Sequence, residues 1–161
     1  MLSDTGEPHQ TLVRALKGHA DAIAFVQALV RVCDVWDDLI DGDADVPPHL
    51  IHQAFWLALV TLPGNPFYLQ HRASLHPLIV TGIASWWAAN DLEERRGARA
   101  RAIAYTARSQ IADVITMACG LVGGPDWMKA NAADIKLMIH SDDPAAYARE
   151  MESKHGMVVH S

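Results

Sequence analysis

The sequence predicts an all-α protein, a compact antiparallel bundle of about five to six helices. Three observations carry that expectation. Apolar residues recur at spacings of three and four from one end of the chain to the other. No run alternates apolar and polar residues in the way a half-buried strand does. Glycine and proline clusters cut the chain into helix-length pieces joined by short connections, and short connections set successive helices antiparallel. With 161 residues, half of them hydrophobic, the chain reads as one all-helical domain over residues 1–161, large enough for a core of its own.

The elements follow in order. A first short helix covers roughly residues 9–17 and breaks at Gly18. The second runs from about 21 to 41, with Phe25, Leu29, Val32, Trp36, Leu39 and Ile40 on its core side, and Gly42 stops it. Residues 43–48 make a turn whose Pro47 and Pro48 open a third helix through Ile51, Phe55, Leu59 and Leu62. Pro63, Gly64, Asn65 and Pro66 close it. Ser74 is placed to cap a fourth helix, with Pro77 in its first turn and Leu78, Ile79, Ile83, Trp86 and Trp87 along it to about residue 96. Gly97 marks a bend. A fifth helix is expected over 99–122, ended by Gly123, Gly124 and Pro125, then a sixth over 127–139 and a short amphipathic tail over 144–154.

Composition excludes several classes. A net charge of −6 argues against a phosphate-binding footprint for nucleic acid, although Arg95, Arg96, Arg99 and Arg101 crowd one stretch with Arg108 close behind, which leaves room for a local anion site. The longest apolar stretch, residues 77–89, is too short for a membrane span and contains Thr81 and Ser85. Cys33 and Cys119 sit in apolar helical patterns without zinc spacing, so both read as packing residues. The N-terminal MLSDTGEPHQ lacks the basic and apolar regions of a secretory signal, and a cytoplasmic location is the expectation.

Function is best signalled by the string DVWDDLIDGD at residues 34–43. At 100° per residue Asp34, Asp37, Asp38 and Asp41 fall within an arc of about 100° on one helix face. Asp37, Asp38 and Asp41 occupy the last turn, where unpaired carbonyls disfavour anions by roughly 0.3–1 kcal/mol each. A bound divalent cation turns those penalties into attraction, whereas the plain alternative is a solvated acidic helix end. Oxygen-rich ligands of this kind suit Mg²⁺ or Mn²⁺, and the i, i+3 pair His49 and His52 is read as incidental.

Two further constellations stand beside it. On the expected fifth helix Thr106, Ser109, Gln110, Asp113 and Thr116 form a polar stripe about 120° wide. Asp113 there is either a ligand or a structural acid with a partner. At the end of the fourth, Asp91 and Glu94 share a face and precede Arg95 and Arg96, a pattern also typical of a solvated, ion-paired helix end.

Asp37, Asp38 and Asp41 spell DDxxD, and DDLIDGD with its proline turn resembles the first aspartate-rich motif of trans-isoprenyl diphosphate synthases. The resemblance implies an all-α fold in which these acids hold Mg²⁺ against the diphosphate of an allylic substrate. That family's second motif begins FQxxDD; SQIADV at residues 109–114 matches it at Gln110 and Asp113, with Val114 where the family has an acid. The stretch SQIADVITMACGLV is also similar to the ExxD helix of the all-α NTP pyrophosphatases, with Gln110 in place of Glu. Asp91 and Glu94 stand where that family's ExxE helix lies, Asp91 replacing the first Glu.

The shared content is a Mg²⁺- or Mn²⁺-dependent, diphosphate-handling protein. Asp34, Asp37, Asp38 and Asp41 are its candidate metal ligands, Arg95 and Arg96 candidates for holding the anion, and Asp113 and Arg108 candidates for a catalytic role. The opposing class is a non-catalytic helical assembly or adaptor protein in which the acidic turn docks a basic partner surface and exposed Trp, Phe and Leu make the interface; a homo-oligomer is a further alternative.

Overall fold

The computed structural model of the chain describes residues 6–42, 45–95, 97–140, 145–147, 149 and 151, and every regular element among them is helical. The first helix, α1 (Glu7–Ala15), carries Pro8 in its first turn, where a missing N–H leaves nothing unsatisfied. The chain then reverses through Lys17 (φ 51°) and Gly18 (φ 68°). Next, α2 (Ala20–Asp41) is capped by His19, whose Nδ1 accepts from the Ala22 N–H at 3.3 Å. Its other end is closed by Gly42 in the left-handed conformation (φ 66°). Both ends agree with the sequence reading, but Leu39 and Ile40, expected on the core side, are 47% and 55% exposed.

Helix α3 (Pro48–Trp56) passes through a π-helical turn, Leu57–Thr61, into a last turn that ends at Gly64. Asn65 then does two jobs. Its Oδ1 accepts from the Tyr68 N–H at 3.0 Å and so caps α4 (Pro66–Glu94), while its Nδ2 donates to the Asp21 carbonyl at 3.0 Å. The helix therefore starts well before Ser74, which lies inside it, because Asn65 supplies the cap and Pro66 the first helical position. It departs from helical geometry once, at His71 (φ −112°, ψ 18°), upstream of the internal Pro77.

The expected helix over 99–122 is broken in two. Helix α5 (Ala98–Ala107) ends in a tight turn at Arg108, Ser109 and Gln110, where bonds from Ala112 N to Ser109 O and from Asp113 N to Gln110 O have tightened to i→i−3. Helix α6 (Ile111–Gly123) follows, then α7 (Pro125–Ile139). The polar stripe expected along one continuous helix is thereby split. Gly124 (φ 86°) turns the chain between α6 and α7, and Gly123 lets them approach: a Cβ there would stand 2.1 Å from the Trp127 ring. The expected tail over 144–154 lies largely outside the described residues, of which Tyr147 and Met151 turn back onto the bundle.

Neighbouring helices α2 and α4 run parallel, with α3 as the return. The contacts climb in the same direction on both: Asn65 meets Asp21, Tyr68 stacks on Phe25 at 5.5 Å, and Trp86 packs on Trp36 at 4.3 Å. The core gathers Leu12, Leu16, Phe25, Leu75, Ile115 and Ile135, all fully buried, from five helices. Among the described residues no helix is long and apolar enough to cross a membrane.

Candidate functional site

The acidic end of α2 is held by one arginine. Arg108, at the turn between α5 and α6, points its guanidinium between α2 and α4 and is only 17% exposed. Its Nε and Nη2 grip the two oxygens of Glu93 at 2.7 and 2.9 Å, a bidentate pair. Its Nη1 donates to Asp37 at 2.9 Å, and Nη1 and Nη2 reach the two Asp41 oxygens at 3.4 Å. A further bond runs from Nη2 to Asn90 Oδ1 at 3.2 Å. The Trp86 indole N–H donates to Asp37 at 3.1 Å, the guanidinium lies 5.5 Å from the Trp86 ring, and the Tyr147 hydroxyl donates to Glu93.

Three carboxylates thus surround one cation, a local excess of negative charge. Although burial works against its charge, the hydrogen bond and charge of Glu93, with Asp41 and Asp37 behind them, hold Arg108 well above the usual guanidinium range. Burial raises the Asp37 carboxyl despite Arg108 and the Trp86 bond, with Asp41 and Asp38 adding to the rise. Asp34, one turn earlier, is raised by burial and by Asp38, and its Oδ2 is buried without a hydrogen-bond partner. The Cys33 thiol beside it is pushed up to about 12 by burial, then by Asp34 and Asp37.

Beneath this cluster lies a cavity of about 950 Å³ between α2, α4, α6, α7 and the turns that follow α3. Leu29, Val30, Leu62, Leu78, Ile79 and Val114 give it apolar walls, with Asp34, Trp36, Asp37, Asp41, Trp86 and Arg108 at one end. That size suits a small organic ligand.

The sequence-predicted residues are distributed as follows. Asp34, Asp37, Asp41 and Arg108 come together at the cavity, Arg108 as the partner of the acids. Asp38 is exposed on the adjoining surface. Asp113 pairs with Lys136 of α7 at 2.5 Å and is not among the cavity residues. Arg95 pairs with Asp91 at 2.5 Å on an exposed surface, and Arg96 lies outside the described residues. Sequence reasoning passed over Glu93, which is only 11% exposed, as well as Asn90 and Tyr147. A signal was present: Trp86, Asn90 and Glu93 are spaced i, i+4, i+7 and so share a face.

What fold and site define together is an all-α protein with an apolar cavity under an ion-paired carboxylate cluster. Compared with known proteins, the chain matches no family model, no curated protein and no solved structure.

Proposed function

We propose that the protein handles a diphosphate carried on an apolar body, with Mg²⁺ or Mn²⁺ bridging the head to the acids. The observation that supports this most is that Asp37 and Asp41 of α2, which line one end of an apolar cavity of about 950 Å³, converge with Glu93 of α4 on Arg108. The walls accept the apolar body. The head meets net negative charge, which repels a bare diphosphate, so a divalent cation is needed to join the two.

As arranged, the acids do not fit a metal: among the described residues no group of three His, Cys, Asp or Glu stands ready to hold one. Arg108 occupies the space between them. Asp37 and Asp41 would be the residues to hold such a cation, which would neutralise the diphosphate, and Arg108 would be the residue to pair with a diphosphate oxygen. Melting curves in millimolar Mg²⁺ or Mn²⁺, with and without pyrophosphate, test it. The metal is expected to raise the melting temperature of the wild type, pyrophosphate to raise it further, and Asp37→Asn with Asp41→Asn to abolish both effects. No shift in the wild type sinks the proposal.

A second reading, a docking protein, is favoured by one observation: Phe55, Trp56, Leu59 and Val60, on α3 and the π-helical turn after it, are largely exposed.

A further inference from the structure

The cavity has a second polar end that the diphosphate proposal does not use. Tyr68, Arg72 and His76 succeed one another at four-residue spacing on α4, and all three line the cavity. Tyr68 lies at the level of Phe25, whereas the acid cluster lies at the level of Trp36 and Trp86; ten residues of helix, roughly 15 Å, separate His76 from Trp86. The carboxylates that line the cavity, Asp34, Asp37 and Asp41, all belong to the far end.

The groups at this end present donors. The Tyr68 ring is buried and stacked on Phe25, so its hydroxyl is fixed in place, 2.8 Å from His76 Nδ1. Where the phenol donates to Nδ1, the imidazole proton sits on Nε2, and His76 then offers a donor on the side away from Tyr68. Arg108, Arg95 and Arg14 are committed to carboxylates, but Arg72 makes no hydrogen bond or ion pair among the described residues. A guanidinium fork and an imidazole N–H one turn apart suit an oxyanion, and Leu69, Leu78 and Ile79 beside them suit an apolar chain.

We infer that Arg72 and His76, with Tyr68 as the positioning residue, form a head-group site for an amphiphilic anion, a carboxylate or phosphate on an apolar tail that lies in the cavity. The acids at the opposite end repel such a head, so the ligand has one favoured orientation. N–H donors alone hold it. No metal is required, which separates this site from the metal-dependent one proposed above.

Calorimetric titration of the full chain with dodecanoate, dodecyl phosphate and dodecanol, in excess chelator, tests the inference. Both anionic probes are expected to bind, and the neutral alcohol at least about tenfold more weakly, as the loss of charge-assisted hydrogen bonds requires. Arg72→Met removes that advantage while leaving dodecanol binding unchanged, and Arg72→Lys restores part of it. Arg72 is exposed, so the substitution leaves the core intact, which an unaltered melting temperature confirms. The tighter of the two anionic probes identifies the head group. Equal binding of dodecanol and dodecanoate, full retention of anion binding in Arg72→Met, or binding of neither anion overturns the inference. A metal-induced melting shift that survives such a failure leaves the diphosphate proposal standing, so the two are separable.

Discussion

Among the described residues, Asp34 is the one that the burial of its side chain leaves short of a partner. Its Oδ2 is buried without a hydrogen-bond partner, and burial together with Asp38 raises its carboxyl above the ordinary range. A raised folded-state pKa means that the folded chain holds the proton to higher pH than the unfolded chain. The stabilisation is therefore full below the ordinary carboxylate value of about 4 and is lost as pH rises through the raised one. Asp34→Asn removes the buried charge. It is expected to raise the melting temperature at pH 7 by roughly 2–4 °C, the effect of about 1 kcal/mol in a domain of this size, with the difference from wild type closing toward pH 4. Melting curves across that range check it, and a destabilised Asp34→Asn at pH 7 contradicts it. The same neighbourhood explains Cys33, whose thiol at about 12 is uncharged at neutral pH and serves as packing, as its apolar sequence context suggested.

Arg108 ties four elements together: α2 through Asp37 and Asp41, α4 through Asn90 and Glu93, and the ends of α5 and α6 through its own backbone. Arg108→Met leaves Glu93 in a site where it is 11% exposed and without its bidentate partner. A loss of about 3 kcal/mol is expected, read from the urea midpoint, and Arg108→Met with Glu93→Leu should cost less than Arg108→Met alone. Equal losses in the single and double variants contradict a buried pair. This ion pair is also why the break between α5 and α6 was illegible. Residues 107–111 contain no glycine or proline to mark the end of the helix, and the side-chain bonds that anchor the turn at Arg108 go to residues on other helices. Where local chemistry decides, at Gly18, Gly42 and Gly124, the boundaries were readable from sequence. Asn65 misled for a different reason, since one residue both follows the end of α3 and caps α4. The acids of α2 were legible because helical arithmetic puts Asp34, Asp37 and Asp41 on one face. Glu93 was not, because the more conspicuous pair Asp91 and Glu94 drew attention to the face that stays in solvent.

Charge is unevenly spread over the whole molecule. The chain carries −6, yet residues 46–71 contain no Asp, Glu, Lys or Arg. Within that stretch Phe55 is 62%, Trp56 64% and Leu59 71% exposed, with Val60 beside them. Helical neighbours at these spacings form one patch, on the order of 400 Å² of apolar surface. That is about half of what one partner contributes to a standard interface of ~800 Å² per side, and it falls within the roughly 300–600 Å² of the largest patch on a typical monomer. Two such faces would meet without like-charge repulsion at the contact, which favours a second copy over a basic partner, whose charges would find nothing on α3 to pair with. Lipid is disfavoured on the same ground, since interfacial helices hold anionic membranes with Lys and Arg. The expected behaviour is reversible self-association that strengthens with protein concentration. It also strengthens with salt, because salt screens the repulsion between two chains of −6 while leaving the apolar contact intact. Trp56→Lys with Leu59→Lys places like charges on both faces. This should give a monomer with an unchanged melting temperature, since neither side chain is in the core. Sedimentation equilibrium at low and high salt reads the result. A wild type that stays monomeric under both conditions removes self-association as the use of this face. Association that weakens as salt rises assigns the contact to opposite charges elsewhere on the surface.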